Sequence, residues 1–249
     1  MKDLIEEKST NEKNKVSLKL RDEFISIAAH ELNTPLTALT LQLHLINKLL
    51  PEIGSLENAK GKTIQNLAQS SAIQVERLSS LIENLLDTTR ASTGKLYIER
   101  KKEDLTEIVK KAIKLNEIEL ENAKCTLTIH LETSVYGEFD SSRIQQVITN
   151  LLKNAIKYGA GKPIEIDLHV KNSVAKLVVC DHGIGLDLDS KVRIFKRFER
   201  ASSMKTYAGL GLGLYLSKEI VTAHGGTIKV ESKPGSGSCF IIKLPLYIN

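Results

Sequence analysis

The chain has 249 residues, enough for one large domain or two ordinary ones, and its 41% hydrophobic and 26% charged residues exclude the disordered and fibrous classes. A net charge of +5, no Trp and 4% aromatics argue against a nucleic-acid binder that stacks bases. No apolar run is long enough to cross a membrane or act as a secretory leader, so no membrane contact is expected of this chain. Cys125, Cys180 and Cys239 lie far apart with no CxxC spacing. They read as small apolar side chains in a reducing, cytoplasmic compartment, not as a disulfide framework or a zinc site.

Residues 1–23 carry twelve charges of both signs and read as a solvated helical lead-in. From Ile25, apolar positions recur at Ala28, Leu32, Leu36, Leu39, Leu43, Ile46 and Leu50. The steps are three or four throughout, a narrow seam near the 3.5 period of a coiled coil. Pro51 and Gly54 interrupt it, and a second stripe begins near Thr63 with Leu67, Ser71, Val75, Leu78, Ile82 and Leu85. A two-helix seam this thin needs a partner, and two such hairpins would make a four-helix bundle. Residues 1–136 hold three glycines and the remainder twelve, which separates a helical front from a loop-and-strand back.

Helical spacing covers 104–122, and Cys125–Glu132 alternates as a strand. Asp140 can cap a helix running to about Tyr158. Residues 163–170 and 174–181 read as a hairpin, Gly209–His224 as a helix, and 227–245 as two strands around Pro234 and Gly235. The expected fold class is α+β: a helical hairpin dimerising into a four-helix bundle, then an α/β sandwich with helices on one face of a sheet.

Four stretches carry chemistry. In FISIAAHELNTPLTAL, residues 24–39, His30 points away from the seam, with Thr34 and Thr37 on the same exposed side. Pro35 removes a backbone hydrogen bond and is expected to kink the helix a turn beyond His30. In QVITNLLKNAIKYG, residues 146–159, an apolar stripe leaves Asn150, Asn154, Lys157 and Tyr158 on the opposite face. Amide oxygens and an ammonium in line suit Mg²⁺ and phosphate, although an ordinary amphipathic helix has the same pattern. In DHGIG, Asp181 ends a strand and could accept the amino proton of a flat base, with Gly183 and Gly185 giving it room; alone, the stretch is equally a tight turn. In AGLGLGLYLSKEI, Gly209, Gly211 and Gly213 precede a helix and could bare N–H groups to phosphate, without matching the Rossmann or Walker patterns. Leu186–Ala208 reads as a mobile lid.

These stretches resemble, in order, the boxes of sensor histidine kinases. The surroundings of His30 are similar to the H box, NLLKNAIKYG to the N box, DHGIG and GLGLGL to the two glycine boxes, and IFKRF to the F box. Asn33 stands where the family usually has Arg or Lys. The resemblance implies a connecting helix (1–17), a dimerisation and phosphotransfer domain (18–93) and an ATP-binding domain of the gyrase–chaperone–kinase superfamily (94–249). It also implies transfer of phosphate from ATP to His30, and then to an aspartate on a response-regulator receiver domain. Under it, Glu31 orients or deprotonates the His30 ring. Asn154, with Asn150 alongside, holds Mg²⁺, Lys157 neutralises phosphate, and Tyr158 packs near the base or ribose. Asp181 reads the adenine amino group between Gly183 and Gly185, while Gly209, Gly211, Gly213 and Arg197 face the phosphates. The expected assembly is a homodimer, cytoplasmic or the cytosolic portion of a membrane sensor. Two alternatives stay open: a phosphatase-dominant enzyme, for which Thr34 is placed to position water, and an inactive nucleotide-binding scaffold.

Overall fold

The computed structural model describes residues 32–50, 59–159, 161–199 and 210–247. His30, Glu31 and Gly209 lie outside them, as do the expected lead-in and the second half of the expected lid. Two compact units divide the chain, the first ending at Leu86 and the second beginning at Asp87.

In the first unit, helix α1 covers 32–49 and runs through Pro35 without a break, while α2 (Ala59–Ser92) begins there and continues into the second unit. The side-chain amide of Gln42 ties the two helices together. Its Nε2 donates to Ser70 Oγ at 2.8 Å, and its Oε1 accepts from Ser71 Oγ at 3.0 Å. The apolar seam stays open on both helices: Leu36, Leu43, Val75 and Ile82 are each close to half exposed. No helix among the described residues is long and apolar enough to cross a membrane.

The second unit is an α/β sandwich. Strand β1 (Lys101–Asp104) leads into α3 (Leu105–Leu115) and α4 (Glu117–Asn122), followed by β2 (Leu127–Leu131) and β3 (Tyr136–Phe139). Next come α5 (Ser141–Gly159), the hairpin β4 (Ile164–Lys171) and β5 (Val174–Asp181), and α6 (Leu188–Arg193). α7 (Gly213–Ala223), β6 (Thr227–Ser232) and β7 (Ser238–Pro245) complete it. Five strands pair in the order β2-β4-β5-β7-β6, antiparallel except for β2 with β4, and β1 pairs with β3 in a separate ribbon. Inward residues of β4, β5 and β7 meet the apolar stripes of α3, α5 and α7. Ile148, Leu151, Leu152, Ile164, Ile166 and Ile220 have no exposed surface.

Caps written in the sequence set the helix starts. Asp140 Oδ1 accepts from the Arg143 N–H at 3.1 Å and the Ser142 hydroxyl at 2.8 Å, opening α5 where expected. Asp104 Oδ1 takes the Thr106 and Val135 N–H groups, both at 2.9 Å, fixing the start of α3. The helix expected over 104–122 is two helices. Asn116, fully buried, turns its Nδ2 onto the Ala112 carbonyl at 2.7 Å and breaks the ladder there.

The cysteine expectation is overturned. Cys180 and Cys239 face each other across β5 and β7 and form a disulfide, while Cys125 remains a free thiol. Wide sequence separation hid the pair, because adjacency of β5 and β7 is set by sheet order rather than by local spacing.

Candidate active site

α5 supplies the backbone of the site. Its apolar stripe anchors it to the sheet, so Asn150, Asn154, Lys157 and Tyr158 come out on the other side, as the spacing predicts. Asn150 is fully engaged with α7: its Nδ2 donates to Ser217 Oγ at 2.9 Å, and its Oδ1 would lie 2.2 Å from a Cβ on Gly213. A side chain at position 213 would force the Asn150 amide to turn away from α7. The side-chain amide of Asn154, one turn further on and half-buried, has no hydrogen-bond partner among the described residues. Beyond it the Lys157 ammonium lies 5.1 Å from the centre of the Tyr158 ring.

The start of α7 faces this line. Leu212 stands at its N-cap without a side-chain cap, and the first ladder bond runs from the Leu216 N–H to the Leu212 carbonyl at 2.9 Å. The N–H groups ahead of that bond have no intrahelical acceptor and carry the positive end of the helix dipole, which suits an anion. No acidic residue lies in this first turn to compete.

Asp181 closes β5, and all but 5% of it is buried. Burial pushes its carboxyl above the usual range, against the backbone N–H groups of Gly183 and Ser238 and the charges of His182 and Lys162. The Gly183 N–H reaches Oδ1 at 2.8 Å. The glycines of this loop are held closely against neighbouring backbone. A Cβ on Gly183 would lie 1.9 Å from the Tyr158 carbonyl oxygen, and one on Gly185 1.9 Å from the Lys233 oxygen. Neighbouring backbone fills the room a side chain would need, so these glycines clamp the loop onto α5 and onto the β6–β7 turn.

Arg197 is exposed, its guanidinium 5.8 Å from the centre of the Tyr215 ring on α7. Phe195, edge-on to Phe240 at 6.3 Å, roots this segment in the core. Thr34 is an exposed residue of α1. Sequence reasoning missed Ser232. Its hydroxyl accepts from the Leu186 N–H at 2.8 Å and donates to the Gly237 carbonyl at 2.7 Å, joining the Asp181 loop to the turn before β7. The alternating glycines of GSGS, residues 235–238, were the available signal.

Residues 20–94 match the family model for the His Kinase A (phospho-acceptor) domain. Residues 139–248 match the model for the histidine kinase-, DNA gyrase B- and HSP90-like ATPase. The solved histidine kinase AdeS of Acinetobacter baumannii is 30% identical with a TM-score of 0.64, over 87% of this chain and 98% of that one. The chain belongs to the histidine kinases. Among curated histidine kinase relatives, the adaptive-response sensory kinase SasA of Thermosynechococcus vestitus is 33% identical over 92% of this chain. The sensor protein KdpD of Escherichia coli is 33% identical over 91%. This histidine kinase chain spans 61% of the length of SasA and 24% of that of KdpD.

Proposed function

We propose that this histidine kinase, working as a homodimer, moves the γ-phosphoryl group of ATP to His30 and then to an aspartate on a response-regulator receiver domain. The observation that carries the nucleotide half is Asn154. Its side-chain amide has no hydrogen-bond partner among the described residues, and it lies on α5 one turn beyond the Asn150–Gly213 contact and one turn before Tyr158, whose carbonyl packs on the Asp181 loop. The open seam on α1 and α2 supports the dimer.

Phosphoryl transfer asks mainly for positioning and charge neutralisation. Asp181 accepts the adenine amino proton, the first turn of α7 binds phosphate oxygens, and Lys157 offsets their charge. Asn154 offers an amide oxygen suited to Mg²⁺, which when bound neutralises the phosphates further. Asn150, committed to Ser217 and Gly213, acts by holding α7 in place. An imidazole nitrogen of His30 attacks the γ-phosphorus, ADP leaves, and the ring proton passes to Glu31 or water.

Incubation with γ-labelled ATP tests the reading. Acid-labile, base-stable label on the chain is expected, absent in His30→Gln with ATP affinity retained, and chased onto a receiver domain. Label persisting in His30→Gln would overturn it.

A further inference from the structure

The Cys180–Cys239 disulfide lies on the sheet face opposite the helices, one residue from the Asp181–Ser238 pair that ends the β5–β7 ladder. Its Cα atoms are 4.0 Å apart, in the closer, non-hydrogen-bonded class of antiparallel pairs, where facing side chains touch. Both cysteines are partly exposed. A recess of about 190 Å³, lined in part by His182, Glu231, Ser236, Ser238 and Cys239, opens beside them. Small solutes can therefore reach the sulfur, although the bond sits against the loop assigned to the base.

We propose that Cys180 and Cys239 form a thiol–disulfide exchange site for low-molecular-weight thiols, and that its redox state sets nucleotide affinity. The proposal rests on the assignment of Asp181 to the nucleotide base. In reduction, one thiolate attacks a sulfur of the pair, releasing the other cysteine as a thiolate and leaving a mixed disulfide. A second thiolate then frees the attacked cysteine. The pair gains two electrons and two protons from two thiols, which leave joined as their disulfide. Oxidation is the reverse, with a low-molecular-weight disulfide as electron acceptor.

Packing couples the bond to the pocket. A Cβ on Gly237 would lie 1.9 Å from the Asp181 carbonyl oxygen, so the turn before β7 is pressed against the residue that reads the base. The Ser238 N–H also supports the Asp181 carboxylate. Two thiols need van der Waals spacing where the bond holds two sulfurs in contact. The Cα spacing of 4.0 Å is below the roughly 4.5 Å usual for such pairs, so reduction lets β5 and β7 relax apart one residue before Asp181. The bonded form is the preorganised one.

Cross-strand neighbours set the approach. The row Glu165, Cys180, Cys239, Glu231 puts a carboxylate on each side, and His182 Nε2 lies 2.9 Å from Glu165 Oε1. Lys233 and His182 line the same recess, so cations and carboxylates both border the sulfurs, and the neutral dithiol dithiothreitol is the reagent least affected by either.

The test uses the 249-residue chain. After treatment with dithiothreitol or with oxidised glutathione, free thiols are counted by mass after alkylation, and ATP affinity is measured by calorimetry. Three alkylated cysteines are expected in the first state and one in the second, with ATP bound about threefold to tenfold more weakly after reduction, as loss of preorganisation allows. Reoxidation restores the affinity. Cys180→Ser holds the weaker affinity in both reagents, and Cys239→Val serves if that variant misfolds. Cys125→Ser responds like the parent chain. Three free thiols in both states, or equal ATP affinity in both, would overturn the proposal. Absence of ATP binding in either state would instead overturn the nucleotide assignment beneath it.

Discussion

The two units use similar apolar residues to opposite ends. On the sheet side, Ile148, Leu151 and Leu152 are completely covered, while on the helical hairpin Leu43, Val75 and Ile82 stay almost half exposed. One core is finished within a single chain, and the other leaves its apolar seam open. Stability of the second unit is thus a property of the chain, whereas under the proposed homodimer that of the hairpin would depend on concentration, with a second copy covering the open seam.

The sharpest break in this comparison is Leu151→Ala. It leaves a cavity in a closed core and should cost about 2–5 kcal/mol, read as a lower melting temperature of the second unit with dimerisation intact. Leu43→Lys combined with Ile82→Lys should do the reverse. Buried charges would split the dimer into monomers by sedimentation, with ATP affinity and the melting of the second unit unchanged.

Thr34→Ala touches neither core and sharpens the contrast by separating chemistry from packing. If its hydroxyl positions water for a partner's acyl phosphate, dephosphorylation should slow about tenfold, about 1.4 kcal/mol of barrier, while autophosphorylation persists. Unchanged dephosphorylation would make Thr34 a structural residue.

The smallest expected effect is confined to the second unit. His224 is buried, its Nδ1–H donating to the Ile220 carbonyl at 2.8 Å and its Nε2 accepting from the Asp140 N–H at 3.0 Å. A backbone N–H can only donate, so the ring is neutral there. Burial holds its pKa below the ordinary value, with Arg100 adding to the effect and the Ile220 carbonyl and Asp140 opposing it. The unfolded chain therefore binds more protons than the folded one as pH drops toward and below about 6.5. Stability contributed above that pH is lost as it falls, by up to about 0.8 kcal/mol at pH 6. Chemical unfolding of the parent and of His224→Gln between pH 7.5 and 5.5 measures it, and equal slopes would refute it.

Elements whose signal is local were legible. The cap at Asp140, the stripe of α5 and the hairpin of β4 and β5 each announce themselves within twenty residues. The ribbon of β1 and β3 was not. KKED alternates nothing apolar, and only Gly137 and Phe139 of β3 are buried, so pairing across the intervening helices makes the strands. The site divides the same way. Spacing alone put Asn150, Asn154, Lys157 and Tyr158 on one face. That Gly183 packs on Tyr158, Gly185 on Lys233 and Ser232 between two loops depends on contacts distant in sequence.

The order β2-β4-β5-β7-β6 leaves the sheet with two margins, and both are guarded. β6 turns Thr227, Lys229 and Glu231 outward, alternating charge along its free side, and β2 is five residues long with His130 exposed next to Asp167 of β4. A further strand from another molecule would have to desolvate those charges to join. These charges oppose edge-to-edge joining of the sheets, so under the proposed homodimer self-association falls to the leucines of the hairpin.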